Sequence, residues 1–241
     1  MLNGKFVKTG VVAVAMTAAM SFSSLSSAAL SNAGFESGDA TGGNFYGAAD
    51  WTVFENVFTN ATDGPGFGPV SHDAGGTQSL TMYGPFFPGG ASGAFQSTAV
   101  NAGDQVTLEA WAMNWVGDQL QNLAIVQLSF WDGANGTGNN LGSFEVTGDA
   151  FGTADVLLEV QDGAEVSDWS QMLVSAVAPA GTVSAQAFLL HIQTAEPCCA
   201  GGSIFYDDVS ITTSAVPVPA AAWLFGSALL GLMGISRRAK R

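Results

Sequence analysis

Between Lys8 and Arg237 the chain has neither lysine nor arginine. All six basic residues (Lys5, Lys8, Arg237, Arg238, Lys240 and Arg241) lie at the two ends, whereas all twenty Asp and Glu fall between Glu36 and Asp208. A body without cationic side chains cannot neutralise phosphates, which excludes nucleic acid and anionic lipid as partners. Nor can it build the arginine clamps that hold phosphate or carboxylate substrates. What it admits is a divalent cation or a neutral or cationic sugar, beside the plain solubility of a strongly charged surface. Histidine is nearly as scarce, with His72 and His191 alone. No nucleophile elbow, zinc motif or phosphate loop is present, so acid–base chemistry falls to carboxylates such as Glu109 with Glu145, and the expectation is a protein that is not an enzyme. Cysteine is limited to the adjacent Cys198 and Cys199. Neighbouring cysteines close only a small ring that distorts the peptide between them. A strained vicinal disulfide is the first reading, with disulfides to another copy or two free thiols as the alternatives. Zinc is disfavoured because it wants spaced Cys and His ligands.

The body also lacks any sustained 3.6-residue apolar period, which removes amphipathic helices from its fold. What it has is glycine, 31 in all, with Asn/Gly/Asp punctuation between short β-branched and aromatic runs, the pattern of an all-β sandwich or barrel. Strands are expected at residues 51–58, 77–83, 94–100, 105–115, 123–131, 143–147, 155–160, 169–177, 182–193 and 203–212. Loops such as Asp132 to Asn140 supply residues that accept positive φ. No internal repeat or linker divides the body, so one domain over residues 30–213 is the economical reading.

The two ends read as targeting segments. Lys5 and Lys8 precede an apolar run, Val11 to Met20, and small residues end it at Ser27-Ala28-Ala29, which reads as a signal peptide over residues 1–29 cut by signal peptidase. The segment 214–241 holds Val216-Pro217-Val218-Pro219, an apolar run from Ala220 to Ile235 and the cluster Arg237-Arg238-Ala239-Lys240-Arg241. As a helix the run reaches roughly 24 Å, just enough to span a bilayer. The basic cluster then keeps the C-terminus cytoplasmic and the body outside. This order of parts resembles the PEP-CTERM sorting signal of Gram-negative bacteria that make exopolysaccharide. Here Pro217-Val218-Pro219 stands for Pro-Glu-Pro, as in the Val-Pro-Leu-Pro-Ala variant. The resemblance implies transient anchoring in the inner membrane, cleavage near the proline motif by an exosortase, and transfer to the cell surface or extracellular matrix; the other reading is a plain uncleaved anchor.

Four stretches of the body, in order, resemble the galactose-binding-like jelly roll of bacterial carbohydrate-binding modules: Asn32-Ala33-Gly34-Phe35-Glu36, Gly103-Asp104-Gln105-Val106-Thr107-Leu108-Glu109-Ala110-Trp111, Trp169 through Pro179-Ala180-Gly181, and Tyr206-Asp207-Asp208-Val209-Ser210-Ile211. The resemblance implies a jelly-roll β-sandwich with a structural calcium site, and in such a fold Glu36 can converge with Asp207 or Asp208 into an oxygen-only shell. Pleat alternation sets Asp207 with Phe205, Val209 and Ile211 and sets Asp208 with Tyr206 and Ser210, which favours Asp207 as the ligand. For glycan contact the candidates are Trp111, Trp115 and Trp131, indole platforms flanked by Gln, Glu, His and Ser. Two functions compete: a module that holds exopolysaccharide, and a structural surface or matrix protein with no specific glycan ligand.

Overall fold

The computed structural model describes residues 26–37, 46–61, 71–73, 75–83, 90–115, 122–158, 160–161, 165–194 and 202–216. Cys198 and Cys199, the start of the signal segment and residues 217–241 of the sorting segment lie outside them. Among the described residues no helix is long and apolar enough to cross a membrane.

Alternating side chains decide the architecture. In Asp104–Trp115 the residues Val106, Leu108, Ala110 and Ala112 are fully buried and alternate with partly exposed ones as far as Trp111, and Asn122–Trp131 repeats this with Ala124, Val126, Leu128 and Phe130, the alternation ending at the buried Met113 and Ser129. Each strand therefore offers one apolar row, and two sheets bury these rows against each other. In chain order the strands are β1 (Ser26–Ala28), β2 (Tyr46–Gly47), β3 (Thr52–Phe54), β4 (Val57–Ala61), β5 (Gln78–Tyr83), β6 (Ala91–Ala99), β7 (Asp104–Trp115), β8 (Asn122–Trp131), β9 (Asn140–Asp149), β10 (Val156–Leu157), β11 (Val160–Gln161), β12 (Ser170–Val177), β13 (Ser184–Gln193) and β14 (Ser203–Ala215). One sheet runs β11-β7-β14-β5-β4-β2, with β12 also on β7 and β1 on β14; the other runs β10-β9-β8-β13-β6-β3. The result is the all-β, jelly-roll sandwich expected from the sequence. Each Leu or Val buried between the sheets contributes about 1.5 to 3 kcal/mol.

Tyr206 ties the sheets together. Fully buried on β14, it donates its hydroxyl to Leu190 O at 2.7 Å and accepts from Ile125 N at 3.1 Å, both on the facing sheet. Burial pushes its phenol far above the usual range.

Several boundaries differ from the expectation. The run 51–58 splits into β3 and β4, which join different sheets, because Glu55 takes φ +57 and turns the chain. Residues 155–160 likewise divide between β10 and β11 on opposite sheets. Ser26–Ala28, assigned to the signal segment, pairs with Ile211–Thr213 of β14, and β14 itself continues to Ala215.

Alternation along β14 breaks at the two aspartates. Asp208 adopts φ +46, and the pairing with β7 shifts register between Asp207 and Ser210. Across this bulge the parity reverses. Phe205 and Asp207 face outward with Met113 and Trp111, while Val209 and Ile211 join Ile204 and Tyr206 in the core. The placing of Val209 and Ile211 beside Asp207 is thereby corrected.

Candidate functional site

The bulge is a knot of three segments. Asp207, with no exposed surface, accepts at Oδ2 from Ser71 Oγ (2.9 Å) and His72 N (2.7 Å), and at Oδ1 from Asp208 N (2.8 Å). Burial pushes its carboxyl up to about 7 against the pull of those bonds. His72 Nδ1 donates to Asp208 Oδ2 at 2.6 Å. From the N-terminal side Ala33 O accepts from Val209 N at 3.0 Å. Gly34 leaves room at the centre: a Cβ there would lie 3.4 Å from Asp208 Oδ1 and 3.7 Å from Asp207 Oδ1.

Glu36 joins the knot one layer away. Thr77 N reaches both its carboxylate oxygens at 2.9 Å, Thr77 Oγ1 donates to Oε2 at 2.9 Å, and Gln78 N to Oε1 at 3.3 Å. A Cβ at position 76 would collide with Ser71 Oγ and Glu36 Oε1, so any residue but glycine would displace one of these two side chains. Asp207 and Asp208 thus meet at the bulge, while Glu36 stands apart from them across Gly76 and Ser71. Their oxygen chemistry suits a hard cation. Asp207 Oδ1 and Asp208 Oδ1 both approach Gly34, while Glu36 is engaged by Thr77 and Gln78. Among the described residues no group of three or more His, Cys, Asp or Glu side chains is arranged to hold a metal ion.

The tryptophans divide between the sheets. Trp111 and Trp115 sit on the outer face of the eight-stranded sheet, partly buried against Met113, Trp169 and Phe205. Trp111 carries the imidazole of His72 on its ring, centroids 4.1 Å apart and planes 14° from parallel, and Trp169 meets the same imidazole edge-on at 6.0 Å. Trp131 belongs to the six-stranded sheet. The three do not share a face, because β7 and β8 lie in different sheets. Glu109 and Glu145 are likewise on opposite outer faces: Glu109 accepts from Gln171 on β12, and Glu145 from Gln127 on β8. They do not flank a common bond, as a glycosidase pair must. His191 faces the core, where Nε2 donates to Gly202 O at 2.9 Å, and burial holds its ring down to about 4.

The outer face of the six-stranded sheet has a graded surface. One cross-strand row reads Phe54, Gly93, Leu190, Ile125, Thr147, and the next reads Thr52, Phe95, Phe188, Gln127, Glu145. The following row, Ser97, Gln186, Ser129, Ser143, is wholly polar, with Gln186 and Ser129 at its centre buried. Phe95 and Phe188 stack at 5.0 Å and 6° from parallel, with Phe54 at 6.1 Å from Phe188. Beside them Gln127 donates to Glu145 at 3.1 Å and accepts from Ser129 at 3.2 Å, and Gln186 donates to Ser97 at 3.2 Å. Beyond the polar row lies Trp131, where a 3-10 turn at Ala134–Gly136 closes the end by donating Gly136 N to Ser184 Oγ at 3.0 Å. Alternation along β8 puts Gln127, Ser129 and Trp131 on this one face. Phe95 and Phe188 were missed because only the register of β6 on β13 brings them together.

No family profile matches the chain, and no curated protein matches it in sequence. Among solved structures it is similar to a cyclase from Fischerella sp. TAU, at 16% identity and TM-score 0.56, over 81% of this chain and 100% of that one. It is also similar to the CBM22-1 xylan-binding domain of Paenibacillus barcinonensis Xyn10C, at 16% identity and TM-score 0.43, over 76% and 93% of the two chains. A third similarity is to the enzymatically active domain of bacteriophage CBA120 tailspike protein 4, at 18% identity and TM-score 0.45, over 75% of this chain. The chain spans 20% of that tailspike structure.

Proposed function

We propose that the protein is an exported, surface or matrix component of a Gram-negative bacterium whose sandwich holds neutral or cationic exopolysaccharide on the outer face of its six-stranded sheet. The observation that carries this reading is the juxtaposition on that face of a stacked Phe95–Phe188 pair with the amide of Gln127 in the same cross-strand row, itself bonded to Glu145 and to the buried Ser129. Sugars present apolar C–H faces rimmed by hydroxyls, and an aromatic strip that continues into the Gln127 amide, the Glu145 carboxylate and the exposed Ser143 hydroxyl complements both. The lack of any cationic side chain in the body sets the class of glycan: uronate-rich or sulfated chains would be repelled. Binding without catalysis is the role assigned, since Glu109 and Glu145 stand on opposite faces.

Export, processing by signal peptidase and an exosortase, and transient anchoring in the inner membrane are part of the same proposal, supported by the sequence of the two ends. A structural calcium ion at Asp207 and Asp208, with Glu36 behind Ser71, is a further part of it. The ion would offset the charge that burial makes costly at Asp207 and lock residues 31–36 and 71–78 onto β14. The test is titration of the protein with the producer's own exopolysaccharide, for the native chain and for Phe188→Ala and Gln127→Ala. Binding lost in both folded variants supports the reading. Binding unchanged in both leaves a structural protein with no ligand on this face.

A further inference from the structure

Among the described residues, every exposed large apolar side chain except Val216 falls between Phe144 and Val183. This stretch, β9 to β12 and the turn after it, forms one side of the sandwich. There β12 is the edge of the eight-stranded sheet, and Ser170 Oγ on it donates to Leu157 O in the other sheet at 3.1 Å. Phe151 is 63% exposed, Leu157 50%, Leu173 46% and Val177 51%. Single exposed apolar residues need no explanation, but their collection on one side marks a contact surface.

Among the described residues the edge itself is open. β12 pairs with β7 in unbroken register from Ser170 to Val177, and no described strand pairs with its other side. It carries none of the devices that blunt an edge: no charge, no proline and no bulge. Charge identifies the occupant. Between Asp168 and Glu196 the chain has no Asp, Glu, Lys or Arg, in a body that holds twenty acids and no base. Two copies repel one another over most orientations, and along β12 itself an approaching copy meets no charge, Glu109, bonded to Gln171, and Asp168 being carboxylates beside it.

We propose that β12 pairs antiparallel with β12 of a second copy, joining two eight-stranded sheets about a two-fold axis. Centred on Val174, such a register sets Leu173 opposite Ser175 and Gln171 opposite Val177 on the outer face, and Met172 opposite Ala176 on the inner. The contact is self-complementary and closes as a dimer. It does not depend on the glycan reading, whose face lies on the other sheet.

The test is sedimentation velocity of the full chain over a wide concentration range at low and at about 0.5 M salt. A reversible dimer is expected, tightened by salt because screening relieves the repulsion of like-charged bodies. Leu173→Glu and Val177→Glu, both at exposed positions, should each weaken it about tenfold or more, while Val216→Glu leaves it unchanged. Amide exchange of residues 170–177 should slow as concentration rises. A chain that stays monomeric at both salts, a dimer that Leu173→Glu does not weaken, or association seen only with polysaccharide present would each overturn the proposal.

Discussion

The imidazole of His72 lies flat on the indole of Trp111, ring centroids 4.1 Å apart. One face of that indole is therefore covered by the protein's own side chain, and the ring is a seat for the 71–77 segment before it is anything else. Trp111→Ala should lower stability by about 2 to 3 kcal/mol, less than the loss of a fully buried tryptophan, and leave polysaccharide binding unchanged. A thermal melt and a binding titration on one sample check both halves. Weaker binding by a variant with native stability would return Trp111 to the list of sugar contacts.

The knot around Asp207 predicts a calcium dependence. A cation that binds only the folded protein stabilises it by mass action, so chelator should lower the melting temperature and added calcium restore it. Asp207→Asn should remove that response. Glu36→Gln should reduce it less, because both Glu36 oxygens are engaged by Thr77 and Gln78. A melting curve indifferent to chelator would remove the ion.

Without a bound cation, two buried groups pull stability in opposite directions with pH. Burial raises Asp207 to about 7, so the folded state takes up its proton more readily than the unfolded one; stability from this group is full below the ordinary carboxyl range and is lost as pH rises through about 7. Burial lowers His191 to about 4, so its contribution is full above the ordinary imidazole range and is lost as pH falls from there toward about 4. The two nearly offset one another between pH 4 and 7. In chelator, His191→Gln should leave a protein that gains stability on acidification, and Asp207→Asn one that loses it. Denaturant titrations at several pH values in that window read the slopes directly.

Strand positions were legible in the sequence because one face of most strands is buried, and burial writes the alternation of Val106, Leu108, Ala110 and Ala112. Where the chain turns without glycine the signal was lost. Glu55 and Asp208 both hold positive φ, which glutamate does not announce and aspartate announces only weakly, and so β3 and β4 read as one strand and the bulge in β14 was invisible. The approach of the Asn32–Glu36 segment to Asp207 and Asp208 followed from the motifs at the two ends of the body. Ser71, His72 and Thr77, which bind those carboxylates, came from a loop that no periodicity marks. The tryptophans misled in a different way: parity fixes which side of its own strand a residue occupies, but not which sheet the strand joins, and so Trp131 was grouped with Trp111 and Trp115.

Processing at the two ends makes a prediction by mass. If an exosortase cuts near Pro217 to Pro219, the surface or secreted form should yield no peptide from Trp223 to Arg241, and recovery of the intact tail in that fraction would mean a plain anchor. The N-terminus of the same form is equally informative. Cleavage after Ala29 would remove Ser26–Ala28 and uncover the edge of β14 at Ile211–Thr213, whereas an N-terminus before Ser26 would retain β1.

The glycan face predicts a separation of binding from folding. Phe188 and Phe95 stack on the outer surface of their sheet, both only half-buried, while the core beneath is formed by Ala94, Ala187 and Leu189. Replacing Phe188 by alanine should therefore cost well below the roughly 3 to 5 kcal/mol of a core phenylalanine. The same change should weaken binding to a neutral polysaccharide about tenfold or more, since an aromatic anchor accounts for a large share of sugar affinity. Gln127→Ala should weaken it without lowering the melting temperature, as its partners Glu145 and Ser129 can turn to solvent or to Ser143. Trp131→Ala, at the far end of the face, separates a long binding groove from a short one: affinity for long chains should fall while affinity for a disaccharide holds. Phe188→Ala that unfolds the domain, or that binds polysaccharide like the native chain, would make this face an ordinary sheet surface.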